Sequence, residues 1–233
     1  TYRSAREVGG DYYDFVDFDD ESLAFLVADV SGKSLPGMLV MLLTRDIVTK
    51  LTRSIRQPAE LLSEANRELS LNIKKGMFVT MFFGLLDKKT GCFTFASAGH
   101  NPLIKLNGAT GKPELIKTHG YPLGMMPAAS FDKRIESLET TLAKNDWLIQ
   151  YTDGVTEARN STGEEFGMDR FVHLIQSHSS LPPRQLVDKT LSRHRTFVGS
   201  APQYDDITLL AMKWNGKSVD TKITDRLEAV NVG

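Results

Sequence analysis

Two of the most apolar segments of this 233-residue chain run straight into an aspartate. LAFLVA at 23–28 is followed by Asp29, and WLIQY at 147–151 by Thr152 and Asp153. A short continuous apolar run bounded by turn signals reads as a strand buried on both faces. A carboxylate at the end of such a strand is costly to desolvate unless something offsets it. The same grammar recurs twice. Asp11 follows Gly9-Gly10 in GGDYYD, and Asp205-Asp206 precede the apolar run ITLLAMKW. One such aspartate is explained by turn or helix-cap chemistry. Four of them point to a shared positive partner.

The remaining pattern supplies the frame. Residues 78–86 and 92–98 are Phe- and Val-rich runs separated by Asp87-Lys88-Lys89-Thr90-Gly91, which predicts an antiparallel hairpin. Further strands are expected over 102–106 and 207–214. A helix is expected over 37–52, with Leu39, Leu43, Ile47 and Leu51 as its apolar stripe and Asp46 paired with Lys50. A second begins at Pro58 and carries Leu61, Leu62, Ala65 and Leu69. Two more are expected over 168–177 and 183–197. Strands, helices, strands, helices and a closing strand make an α+β layout rather than a βαβ alternation. Residues 1–214 read as one domain and 215–233 as a polar C-terminal tail.

Composition excludes several classes. Lysine plus arginine number 28 against 29 acidic residues, so the net charge of −1 offers no global attraction to nucleic acid or an anionic membrane. No run approaches the ~18 apolar residues of a membrane span. The single cysteine, Cys92, cannot form an internal disulfide, which fits a reducing, cytoplasmic compartment. The opening Thr1-Tyr2-Arg3-Ser4 has no initiator Met and no leader, as expected of a domain cut from a longer protein.

The aspartates are hard oxygen donors, and the five histidines show no metal-ligand spacing. That suits Mg²⁺ or Mn²⁺ and argues against a zinc hydrolase. Two such cations about 3.5–4 Å apart can activate a water and clamp both the attacking and the leaving oxygen of an in-line displacement. Phosphate monoesters, among the slowest esters to hydrolyse unaided, need that help. Other local patterns carry less. Gly32-Lys33-Ser34 imitates the end of a phosphate loop, but Val27 stands where the first glycine is required. Asp17, Asp19, Asp20 and Glu21 lack the glycine and late glutamate of a calcium loop and read as a solvated hairpin tip. Asp14 is either a support for a ligand or a turn residue. His100 is either a substrate contact or a turn histidine. Gly124-Met125-Met126-Pro127 is core filling by default, or a docking loop.

Six strings then make a specific resemblance: YRSAREVGGDYYDF, LVADVSGKSLPGML, FVTMFFGLLD, SAGHNPLI, YTDGVTEARN and YDDITLLAMKW. In order, and from Tyr2 to Trp214, they resemble the motifs of the metal-dependent (type 2C) protein serine/threonine phosphatases, most closely the bacterial SpoIIE/RsbU-like branch. The resemblance implies a two-layered β-sandwich flanked by helices, with two Mn²⁺ or Mg²⁺ ions at one edge and a third left open. It implies metal ligation by Asp11, by Asp29 as the bridging residue, by the Val30 carbonyl, by Asp153 and by Asp205. Arg6, five residues before Asp11, matches a phosphate-binding arginine of some relatives; a guanidinium fork suits a phosphoryl dianion. The implied reaction is attack of a metal-bridged hydroxide, held by Asp11 and Asp29, on a phosphoserine or phosphothreonine of a STAS-type regulatory protein. An upstream sensor domain in the same chain is the implied regulator. The stripes of the first two helices offer a homodimer or sensor-docking surface.

The chain also departs from the pattern. Many relatives follow the bridging aspartate with Gly and His, the latter a suspected general acid; here Val30-Ser31 stands there, and the leaving-group acid is unassigned. Two other classes therefore compete with the enzyme: a pseudo-phosphatase that binds a phosphoprotein and signals by shape, and a metal-stabilised structural module.

Overall fold

The computed structural model describes residues 1–5, 9–32 and 35–216. In chain order the elements are β1 (Tyr2–Arg3), β2 (Tyr12–Asp17), β3 (Ser22–Val30), α1 (Leu35–Leu51), α2 (Pro58–Asn72), β4 (Val79–Asp87), β5 (Cys92–Ala98), β6 (Leu103–Leu106) and β7 (Pro113–Ile116). There follow α3 (Ala128–Phe131), β8 (Leu138–Thr141), β9 (Trp147–Tyr151), α4 (Asp153–Thr156), α5 (Met168–His178), α6 (Pro183–Val198) and β10 (Ile207–Lys213). One sheet runs β2-β3-β4-β5-β8 and the other β1-β10-β9-β6-β7, and every pairing is antiparallel.

The apolar runs are continuous because both faces of the central strands are covered. Along β3, Phe25 and Val27 enter the layer between the sheets, while Ala24, Leu26 and Ala28 face the packing of α1 and α2. On β4, Phe82 and Leu86 point inward, and Met81 and Phe83 outward. Phe25, Phe82, Phe93 and Phe95 stack in the middle at centroid separations of 5.4–6.4 Å. A side chain at Gly84 would collide with the Phe93 ring, so the smallest residue sits beside the densest packing. Ile149, Tyr151 and Leu209 of the second sheet pack against Phe171, Ile175 and Leu186 of α5 and α6. The layers are helix, sheet, sheet, helix: the expected sandwich.

Two expectations about α1 need correction. Leucines every fourth residue drift by about 40° per step around a helix of 3.6 residues per turn. The stripe therefore does not stay on one face. Leu39 is 57 % exposed, Leu43 is half-buried, and the buried face is Val40, Thr44, Ile47, Val48 and Leu51. Lys50 pairs not with Asp46 but across to Glu68 of α2, at 3.1 Å. In α2, Leu61, Leu62, Ala65 and Leu69 are all fully buried as read, with Pro58 in the first turn. Of the expected tail, Asn215 and Gly216 are described, and 217–233 lie outside the described residues. Among the described residues no helix is long and apolar enough to cross a membrane.

Candidate metal centre

The two sheets present their aspartates at one edge. Asp29 sits one residue before the end of β3, opposite Thr80 of β4. Asp153 follows β9 and opens α4; Asp205 and Asp206 immediately precede β10. A cavity of about 270 Å³ lies between them, and its lining includes Asp29, Val30, Asp153, Asp205 and Asp206 as well as Thr80, His100 and Asn101. Residues far apart in sequence, from both sheets, thus meet around one hollow.

Backbone packing sets the spacing. A Cβ on Gly154 would collide with the Asp206 carbonyl, so the Asp-Gly pair lets the first turn of α4 lie directly against the entry to β10. Gly10 serves the other side: its Cα rests close to Val30, where a Cβ would come within 3.1 Å of the carbonyl oxygen. Asp206 is the organiser. Its Oδ1 accepts from the Ala5 amide at 2.7 Å and the Ser4 hydroxyl at 3.4 Å; its Oδ2 accepts from the amides of Gly10 at 2.6 Å and Asp11 at 3.4 Å. Asp206 thereby fixes the backbone on either side of the 6–8 segment and delivers Asp11 to the site.

Asp11 is held in turn by two buried hydroxyls. Oδ2 accepts from Thr208 at 2.6 Å and Thr152 at 2.8 Å, and the Thr152 hydroxyl accepts the Thr208 amide at 2.9 Å. Burial pushes the Asp11 carboxyl up to about 7 against the pull of these hydroxyls, with Asp206 and Asp205 adding to the rise. Asp29 rises further, to about 8, first through burial and then through the negative charges of Asp11, Asp153, Asp205 and Asp206. Carboxylates that resist ionisation because they are buried, and buried beside one another, form a site that a cation relieves.

The donor set fits that partner. The carboxylates of Asp29, Asp153 and Asp205 on the cavity's lining are oxygen donors, which hard divalent ions prefer. The set is a ring around a cavity rather than a preformed cage: among the described residues, no three His, Cys, Asp or Glu side chains gather tightly enough to hold an ion as they stand. Asp11 adjoins the ring with one oxygen committed to the two threonines. Arg6 lies outside the described residues, as do Lys33 and Ser34.

Other readings resolve at this point. Asp14 is not on the cavity; on β2 it accepts from the Tyr12 hydroxyl and the Phe15 amide, both at 2.8 Å. Asp17–Glu21 form the exposed β2–β3 turn, with Asp19 paired to Arg56 at 2.7 Å. Met126 packs on the core, and Met125 is exposed. Ser31, where relatives carry the suspected acid, accepts the Phe78 amide on its hydroxyl oxygen at 2.8 Å. His100 does line the cavity. Its Nδ1 bonds the Thr80 hydroxyl at 2.8 Å, while Nε2 is buried without a well-formed hydrogen bond. Burial lowers its pKa to about 3, with the Tyr151 carbonyl pulling weakly the other way, so the ring stays neutral and is a poor acid. Beside it, Asn101 donates to the Tyr151 carbonyl at 3.3 Å and receives a bond from Gln150 at 2.8 Å on its own carbonyl. The SAGHN segment thus straps β4 to β9, near the strand ends that carry Asp29 and Asp153.

Residues 19–215 match the model of the Stage II sporulation protein E (SpoIIE) family. The chain belongs to the SpoIIE family. Among curated relatives, it is 30 % identical over 209 residues to "Phosphoserine phosphatase RsbU" of Bacillus subtilis, covering 90 % of this chain and 60 % of RsbU. It is 29 % identical over 244 residues to "Protein IcfG" of Synechocystis, covering 92 % of this chain and 37 % of IcfG. The chain therefore spans less than two thirds of either relative. Among solved structures, the fold matches the SiaA-PP2C domain of Pseudomonas aeruginosa with a TM-score of 0.78 at 23 % identity, over 91 % of this chain and 82 % of that one. It also matches the RsbU and RsbW domains of Rv1364c from Mycobacterium tuberculosis, with a TM-score of 0.76 at 26 % identity, over 93 % and 59 %. The SpoIIE-family fold is thus a PP2C-like sandwich, as the six motifs implied.

Four elements of the site were not singled out in the sequence: Thr152, Thr208, Thr80 and the organising role of Asp206. One signal was present. Thr208 interrupts the otherwise apolar start of ITLLA and is fully buried, and a buried hydroxyl inside a strand requires a partner.

Proposed function

We propose that this chain is the catalytic domain of a metal-dependent protein serine/threonine phosphatase that removes phosphate from phosphoserine or phosphothreonine on a regulatory protein. The observation that carries this reading is the ring of carboxylates from both sheets around one cavity, where Asp29 is held back from ionising first by burial and then by its acidic neighbours. Membership of the SpoIIE family and the likeness to RsbU support it.

Asp29, Asp153, Asp205, Asp11 and the Val30 carbonyl would hold a pair of Mn²⁺ or Mg²⁺ ions. When bound, such ions supply positive charge for the phosphoryl oxygens and lower the pKa of an attacking water. The chain's own groups do the rest. Thr152 and Thr208 fix the Asp11 carboxylate, and Asp206 fixes its backbone. His100 and Asn101 tie the strand ends together. Arg6 is proposed to grip the phosphoryl group. Because His100 is neutral and a serine hydroxyl is no stronger an acid than the leaving alcohol, the leaving serine takes its proton from solvent.

Within this reading the substrate is a phosphorylated STAS-type protein, and residues 1–214 form a cytoplasmic domain governed by a sensor elsewhere in the same protein or by a second copy docked on α1 and α2. A side chain at Gly37 would collide with the Gly32 carbonyl, so α1 rests directly on the loop that follows Asp29, and its movement would be felt at the ring.

The test is turnover of a phosphoserine STAS protein with Mn²⁺. Asp29→Ala and Asp153→Asn are each expected to lower kcat/KM by at least about a thousandfold, the scale of losing a principal electrostatic contributor. Full activity in both variants would overturn the assignment.

A further inference from the structure

Next to the acidic cavity runs a second, larger hollow of about 880 Å³ that the proposed hydrolysis does not use. The two are contiguous: Asp205 lines both, and Gly154, beside Asp153, lies on the wall of the larger one. Gln203 fastens the near wall, with its Nε2 donating to the Asp205 carbonyl at 2.7 Å and to the Arg3 carbonyl at 3.1 Å. The far wall is the last turn of α6 with Arg195, and the residues after it lead to Tyr204, which is 64 % exposed.

This groove is less acidic than the cavity. It carries the guanidinium groups of Arg3, Arg159 and Arg195 against the carboxylates of Glu157 and Asp205, the second of which it shares with the ring. Arg159 is partly matched by Glu165 at 2.6 Å. Arg3 and Arg195 on the groove's lining are both exposed, and His194, also on it, is buried. An open trough with exposed arginines that ends at a carboxylate-lined cavity offers a subsite for an extended, acidic chain.

We infer that this groove seats the polypeptide flanking the phosphorylated residue and selects acidic side chains there. The inference rests on the phosphatase reading above and adds to it a substrate preference. Arginines placed a few residues from the phosphoryl position attract carboxylates that flank it, and at about 3.3 Å per residue an extended segment reaches them within its next few residues. Two or three exposed charge pairs together give about a tenfold effect at low salt, which fades as the screening length shortens.

The experiment uses three phosphoserine peptides of equal length with acidic, neutral or basic flanks, assayed with Mn²⁺ on the whole chain. The expected order of kcat/KM is acidic over neutral over basic. The acidic-to-basic ratio should be about tenfold or more, reside in KM, and shrink with added salt. The double variant Arg3→Glu/Arg195→Glu reverses the order. If that variant fails to fold, Arg195→Gln should raise KM several-fold for the acidic peptide alone. Equal kcat/KM across the wild-type panel, or a preference for basic flanks, overturns the inference while leaving the phosphatase reading intact. Turnover of none of the peptides counts against that reading instead. Fluorescence anisotropy with the same labelled peptides then decides the groove: tighter binding of the acidic peptide sustains it, and equal affinity overturns it.

Discussion

Asp206→Ala isolates the difference between a carboxylate that organises backbone and one that merely adds charge. Removing it strands four donors, of which two decide the outcome. The Gly10 amide, at 2.6 Å, is buried, and an unsatisfied buried donor costs about 1–3 kcal/mol. The Ala5 amide, at 2.7 Å, is half-buried, where water recovers part of the loss. Together they set a penalty of about 2–4 kcal/mol. Against it stands relief of repulsion. Asp206 ranks last of the four charges acting on Asp29, and at Asp11 it ranks behind burial and the two hydroxyls. With Asp11 and Asp29 held largely protonated below about pH 7, that relief stays smaller than the penalty. The net is a loss of about 2–3 kcal/mol, or roughly 5–10 °C in Tm for a domain of this size.

Asparagine should not rescue it. Each Asp206 oxygen accepts its own pair of donors, so an amide satisfies one pair and turns an NH₂ toward the other. Urea unfolding in chelator, at about pH 6 and about pH 8, measures both terms. The loss should be smaller at the higher pH, where more neighbours are ionised and the relief is larger. A loss below about 0.5 kcal/mol, or a gain at both pH values, would refute the claim that Asp206 acts through the amides it binds rather than through its charge.

Two further predictions concern protons. The folded pKa values of Asp29 and Asp11, about 8 and 7, lie above the ordinary carboxylate value, so the folded protein holds protons that the unfolded chain has released. Metal-free stability should therefore fall as pH rises from about 4 to about 8, and added Mg²⁺ or Mn²⁺ should stabilise more at pH 8 than at pH 6; chelator-controlled melts that rise with pH over this window would contradict the crowding argument. His100→Gln should lower stability by about 1 kcal/mol through a weakened tie to Thr80 and lower kcat, with the shape of the pH–rate profile unchanged. Loss of one limb of the profile would instead make His100 a proton donor.

What the sequence made legible follows from how each element is buried. Strands β3, β4, β5 and β9 were readable because both faces are covered, which leaves a continuous apolar run with no competing pattern. The strands that escaped notice are short or carry half-exposed polar residues: Tyr2–Arg3, Pro113–Ile116 and Leu138–Thr141 have no period to read, and Asp14 and Asp17 disguise β2 as a turn. The stripe on α1 was misplaced because leucine spacing was read at four residues rather than 3.6, so a truly buried position such as Thr44, whose hydroxyl returns to the Val40 carbonyl at 2.7 Å, was passed over as polar. In the site, the aspartates were legible because a charge at the end of a buried strand is an anomaly. Thr152 and Thr208 were not, because threonine in a strand is ordinary until a carboxylate is found against it.

That asymmetry has a structural consequence. The carboxylates of the ring come from strand ends in opposite sheets, and the bonds that set their separation are made by groups the sequence renders unremarkable. Asp11 belongs to the segment before β2 of the first sheet, yet its oxygen is held by hydroxyls of the second, from the end of β9 and from β10. His100 follows β5 of the first sheet, holds Thr80 of the same sheet, and abuts the Tyr151 carbonyl of the second. The ring is therefore a property of how the two sheets are clamped together. A substitution that loosens the clamp changes the spacing of every donor at once, whereas removing one donor leaves the others in place. Variants of Thr152 or Thr208 should thus weaken cation binding in a way that no single aspartate accounts for, although neither threonine lines the cavity.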